Sequence, residues 1–141
     1  MRKRTQAREL ALQLLYQLDL RGDEILDEVT AAVAPGSGDP ETADFAREII
    51  FGVRETRAEI DRHIEEVAKN WQLKRMAAID RNILRLATYE LLYREDIPPF
   101  VTINEAIEMA KKFSGKNSGP FVNGVLDNIR LKAAPPGKQK K

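Results

Sequence analysis

Apolar residues recur at intervals of three and four along almost the whole chain, and no stretch alternates convincingly at every second position. That is the pattern of amphipathic helices. From Thr5 to Leu20, Ala7, Leu10, Ala11, Leu14, Leu15 and Leu18 make one apolar stripe. Gly22 supplies a stop, and Asp23 is placed to cap a second, shorter helix reaching about Ala34. Pro35-Gly36-Ser37-Gly38-Asp39-Pro40 is the clearest interior loop. Pro40 or Glu41 then opens a long helical stretch carrying Phe45, Ile49, Val53, Ile60, Ile64 and Val67, with Gly52 and the residues near Thr56 as points where it would bend or break.

Trp71-Gln72-Leu73 separates this stretch from a helix predicted over about Lys74 to Arg94. Met76, Ile79, Ile83, Leu84, Leu86, Ala87, Leu91 and Leu92 make it apolar on more than one face, so it is the central, buried helix. Ile97-Pro98-Pro99 ends it, because proline cannot continue the hydrogen-bond ladder. Thr102-Ile103-Asn104-Glu105 fits a capping box, with the threonine oxygen on the N3 amide, Glu105 reaching back, and Val101 stapling onto Ala106. Ile103, Ala106, Ile107, Ala110 and Phe113 form the inner stripe of that helix, and Gly115 ends it. Pro120 suits the first turn of the last helix, whose inner face is Phe121, Val122, Val125, Leu126 and Ile129. The expected fold is an all-α bundle of six or seven helices. Residues 1–132 form the folded domain, and residues 133–141, with Pro135-Pro136-Gly137 and three lysines, form a flexible basic tail.

Composition narrows the class. A chain of 141 residues suits one domain, and 43% hydrophobic with 32% charged residues is the mix of a soluble globular protein. No apolar run approaches the roughly 20 residues of a membrane helix. The basic start, Met1-Arg2-Lys3-Arg4, leads into an amphipathic segment instead of a signal peptide's apolar block, so the reading is a cytoplasmic protein with no membrane role. With no cysteine, disulfides, thiolate zinc sites and cysteine nucleophiles are excluded. The net charge of +1 hides an asymmetry. Residues 22–66 carry 13 acidic and 4 basic side chains, whereas residues 1–21 are net +3 and residues 67–141 net +7. Basic ends around an acidic middle point to a polyanionic partner on one side.

Catalytic groups are scarce, and the chain reads as a non-enzyme without cofactor or metal. The single histidine, His63, lies four residues after Glu59, yet a helical-bundle metal site draws on several histidines and carboxylates, so His63 reads as solvated. Gly115-Lys116-Asn117-Ser118-Gly119 fails as a phosphate-binding P-loop, because Asn117 interrupts the Lys-Ser pair and no strand precedes it. It reads as a helix–helix turn whose amides and neighbouring Lys111, Lys112 and Lys116 suit an anion. The second basic cluster is Arg2, Lys3, Arg4 and Arg8. Arg4 and Arg8 stand one helical turn apart at an expected exposed helix start, with planar forks suited to phosphate.

Several segments resemble the NusB family. They are Ala7-Arg8-Glu9 with Leu12-Gln13 and Leu15-Tyr16; Asp80-Arg81 through Ile83-Leu84-Arg85, Ala87 and Tyr89-Glu90-Leu91; Ile103-Asn104-Glu105-Ala106-Ile107-Glu108; and Phe121-Val122-Asn123-Gly124-Val125-Leu126-Asp127. The resemblance runs in order from about Arg4 to Ile129, and residues 21–45 add nothing to it. It implies two small helical bundles packed side by side. It also implies a transcription antitermination factor that holds the boxA element of nascent ribosomal RNA together with the ribosomal protein NusE. The complex acts with RNA polymerase and other Nus factors. By the same resemblance the RNA face comprises Arg2, Lys3, Arg4, Arg8, Lys112, Phe113, Lys116, Asn117, Ser118, Phe121 and Asn123, and the protein contact comprises Tyr16, Asp80 and Arg81. Phe113 and Phe121 can stack bases or fill the core, and Asn123 and Asp127 can order the last helix or reach a base. The arginine run is shorter here than in the family, which predicts weaker RNA binding by the chain alone. The alternatives are the RNA-recognition domain of a ribosomal RNA cytosine methyltransferase type, lacking its catalytic domain, and a helical scaffold that binds only protein.

Overall fold

The computed structural model describes residues 2–139. Among them are seven α-helices and two short 3-10 turns, with no strand. The helices are α1 (Lys3–Arg21), α2 (Leu26–Ala32), α3 (Pro40–Val67), α4 (Ala78–Tyr93), α5 (Pro99–Phe113), α6 (Ser118–Ala133) and α7 (Pro136–Gln139). The chain divides into two compact units, Met1–Glu55 and Thr56–Lys141, and α3 supplies helix to both.

In the first unit, α1 buries Ala7, Ala11, Leu12, Leu15 and Leu18, the stripe that its spacing predicts. Gly22 ends it with φ of 76°, a left-handed value that glycine adopts without a Cβ penalty. Asp23 does not cap α2. Gly22–Ile25 form a 3-10 turn without a side-chain cap, and the Asp23 carboxylate instead accepts from Arg54 Nη1 at 2.9 Å. That bond and the arginine charge hold the Asp23 carboxyl below its ordinary range. The start of α3 does have a side-chain cap. There Asp39 Oδ2 accepts the Thr42 amide at 3.1 Å, which does most to lower the Asp39 carboxyl, with Lys3 adding to it. Neither Gly52 nor Thr56 interrupts α3, which runs unbroken for 28 residues.

In the second unit, α4, α5 and α6 pack pairwise against one another. The predicted central helix begins four residues later than expected, at Ala78, because Leu73–Arg75 form a separate 3-10 turn. Arg81 spans that junction, donating from Nη1 to the carbonyls of Leu73 at 3.0 Å and Met76 at 3.3 Å. Every residue from Asn82 to Thr88 is buried. Arg85, 4% exposed, holds Asp61 of α3 through Nε at 2.8 Å and Nη2 at 3.1 Å, a bidentate pair that compensates its buried charge.

Two expectations fail here for physical reasons. The capping box at Thr102 does not form, because Pro99 occupies N1 of α5 and starts the helix one turn earlier. Thr102 is therefore interior and donates its hydroxyl to Glu90 Oε1 at 2.7 Å, and Val101 stands 43% exposed with no staple. The segment after Ala133 is not a loose tail up to Gln139. Pro136–Gln139 are helical, and Lys138 is 5% exposed. Its ammonium donates to the carbonyl of Glu90 at 2.7 Å and to that of Arg94, capping the end of α4. Arg130 Nη1 donates to the carbonyls of Lys138 at 3.2 Å and Gln139 at 3.0 Å, while its Nε and Nη2 hold Asp127. Asp127 thus orders the end of α6. Burial pushes the Lys138 ammonium below its usual range. Lys140 and Lys141 lie outside the described residues.

Candidate nucleic-acid interface

The basic start of α1 is sorted by its geometry. Arg2, Lys3 and Arg4 are exposed, and no acidic residue stands in the first turn, so the positive end of the helix dipole adds to their charge. Lys3 is paired with Asp39 at 3.1 Å and Glu41 at 3.6 Å, and the hydrogen bond to Asp39 does most to raise its pKa. Arg4 places its guanidinium carbon 4.5 Å from the centre of the Phe45 ring. Arg8 departs from the expectation of an exposed side chain. It is 2% exposed, with its guanidinium 5.2 Å from the same ring. The cause is phase along the helix, since Arg8 precedes the buried Ala11 and Leu12 by three and four residues and so faces inward with them. Tyr16, in the same unit, is half-buried.

The second basic region is the α5–α6 turn. Lys112, Lys116, Asn117 and Asn123 are exposed, and Phe113, Ser118 and Phe121 are half-buried. Lys112 Nζ sits 5.3 Å from the centre of the Phe113 ring. Ser118 stands in the first turn of α6, where its hydroxyl lies 2.9 Å from Ser114 Oγ and donates to Asp80 Oδ2 at 3.2 Å. This bond joins the first turns of α4 and α6. It brings Asp80, expected at a protein contact, beside Asn117, Ser118 and Phe121, expected at an RNA contact. All four line a cavity of about 300 Å³, together with Trp71, Arg75, Met76 and Ala77. Asp80 Oδ1 is buried there without a hydrogen-bond partner.

Trp71 is the residue that sequence reasoning missed. It is 57% exposed and meets Phe121 edge-on, with ring centres 5.6 Å apart. Its signal was a lone tryptophan inside the polar run Lys69-Asn70-Trp71-Gln72, where core packing gives no reason for a large ring. An aromatic pair lining this cavity, with the exposed Lys112 and Lys116 on the α5–α6 turn of the same unit, offers a stacking surface and charge for single-stranded nucleic acid. Among the described residues no cluster of histidine and carboxylates is arranged to hold a metal, and no helix is long and apolar enough to cross a membrane.

The NusB family model matches residues 5–130. The transcription antitermination protein NusB of Geotalea uraniireducens is 49% identical over 137 residues, covering 92% of this chain and 94% of that protein. Its namesake in Anaeromyxobacter dehalogenans is 46% identical, covering 97% and 96%. The solved structure of T. maritima NusB superposes with a TM-score of 0.88 at 40% identity, covering 98% of this chain and 96% of that one. A NusB chain in a crystal structure of the antitermination factors NusB and NusE with double-stranded RNA matches with a TM-score of 0.76 at 32% identity, covering 92% and 96%. Fold, length and sequence agree across these relatives, and the chain belongs to the NusB family.

Proposed function

We propose that this protein is a cytoplasmic transcription antitermination factor. In this reading it holds boxA RNA of nascent ribosomal RNA transcripts together with the ribosomal protein NusE, and supports processive elongation by RNA polymerase with the other Nus factors. The observation that carries the reading is the edge-on Trp71–Phe121 pair that lines the cavity at the first turns of α4 and α6. Base–aromatic stacking contributes about 1–3 kcal/mol per base, and Lys112 and Lys116 supply phosphate contacts beside it. Arg2 and Arg4 supply a second basic surface in the other unit, while Arg8 serves that surface from the interior. Tyr16 and Arg81 are assigned to the NusE contact. Asp80 stands at the border of the two roles, tied to Ser118 on the RNA side. The methyltransferase alternative is not favoured, because the relatives that this chain matches over nearly their whole length are transcription antitermination proteins.

Trp71, the single tryptophan, provides the assay. The protein is titrated with boxA-type RNA and with a scrambled control, each with and without NusE, while Trp71 emission is followed. The expected result is quenching by boxA RNA, with tighter binding when NusE is present, because a shared RNA couples the two proteins. Equal affinity for the scrambled RNA in the presence of NusE would overturn the reading.

A further inference from the structure

We infer that Phe45 is a positioning residue for phosphate recognition at the start of α1, an inference that rests on the RNA-binding reading above. Phe45 lies on α3 and is 5% exposed, yet two guanidinium groups of α1 reach its ring, Arg4 at 4.5 Å and Arg8 at 5.2 Å from the centre. A buried phenylalanine ordinarily meets aliphatic neighbours. Here the negative face of its ring is used for cations.

The two arginines stand on opposite sides of the protein surface in terms of exposure, one outside and one 2% exposed. Arg8 lies too deep to meet a phosphate, and its contact with the ring fixes the side chain from within. Arg4 is at the surface, and the ring limits the rotamers its long side chain samples. An arginine held in place before RNA arrives loses less rotamer freedom on binding than a solvated one. The inference therefore divides the basic cluster by role. Arg4 touches the phosphate, and Phe45 acts through Arg4.

The test replaces Phe45 in the full chain with ring-fluorinated phenylalanines, which weaken the ring's negative face step by step at nearly constant shape. Folding of each variant is checked by circular dichroism, and affinity for boxA-type RNA is measured at moderate salt in the Arg4 parent and in Arg4→Gln. In the parent, affinity falls with each added fluorine, by about two- to five-fold across the series. In Arg4→Gln the starting affinity is lower and the fluorine series is flat. A flat series in the parent, with Arg4→Gln still weakened, overturns the positioning role and leaves the RNA reading intact. A decline that persists in Arg4→Gln assigns the effect to the fold and also overturns it. Arg4→Gln binding as tightly as the parent removes Arg4 from the RNA face, and the inference falls together with that part of the functional reading.

Discussion

The hydroxyl of Thr102 donates to Oε1 of Glu90 at 2.7 Å, inside a unit where Thr102 is 2% exposed and Glu90 fully buried. The bond ties α5 to α4. Removing the donor takes one hydrogen bond from a buried carboxylate, at a cost of about 1–3 kcal/mol. Thr102→Val, which keeps the shape, is expected to lower the melting temperature clearly, and Thr102→Ser to restore most of it. Equal melts for Val and Ser would show that the hydrogen bond contributes nothing beyond packing.

Arg4 and Arg8 should separate by assay. Arg8→Gln removes a buried side chain and its ring contact, and is expected to cost about 1–3 kcal/mol of stability. Arg4→Gln, Lys112→Gln and Lys116→Gln change exposed side chains and should each move stability by less than about 0.5 kcal/mol. Together these three should lower boxA affinity by at least an order of magnitude at moderate salt. They should also flatten the log–log salt dependence by about 2, at roughly 0.7 per phosphate contact. Thermal melts and titrations at several salt concentrations check both halves.

Lys138→Met keeps an apolar stem and removes the ammonium that caps the carbonyls of Glu90 and Arg94. A loss of about 1–3 kcal/mol is expected. Amides in the last turn of α4 should then exchange faster with solvent, which hydrogen exchange followed by mass spectrometry reads directly. Unchanged exchange would mean that the short C-terminal helix is not a cap.

Tyr93 donates its hydroxyl to Glu59 Oε2 at 2.8 Å, and burial, with that bond second, raises its pKa to about 12. A folded-state value above the unfolded 10.0 means that the proton is held more tightly in the fold. The stability this gives is complete below pH 10.0 and is lost as pH rises toward about 12. An ultraviolet titration of the tyrosines should show a late step near pH 12 that disappears in Tyr93→Phe.

The order of the helices, the loop before Pro40 and the buried run of α4 were legible, because each rests on periodicity or on proline and glycine. The starts of helices were less so. Thr102-x-x-Glu105 matches a capping pattern, but Pro99 three residues earlier competes for the same helix, and sequence alone does not rank the two. Arg8 was grouped with Arg4 by charge, although its phase with Ala11 and Leu12 already placed it inward. Lys138 was hidden because Pro135-Pro136-Gly137 reads as the end of order, while in the fold Pro136 opens a helical turn. Asp80 and Ser118 are 38 residues apart in sequence, and no local pattern announces their bond.

For anyone building fusions of this protein, the buried Lys138 has a practical meaning. An affinity tag fused after Lys141 would follow closely on a side chain held against α4, and one fused ahead of Arg2 would crowd the basic start of α1. The stretch from Pro35 to Gly38 is exposed throughout and lies outside every helix, so a label or epitope inserted there leaves both ends of the chain, and the Asp39 contacts, in place.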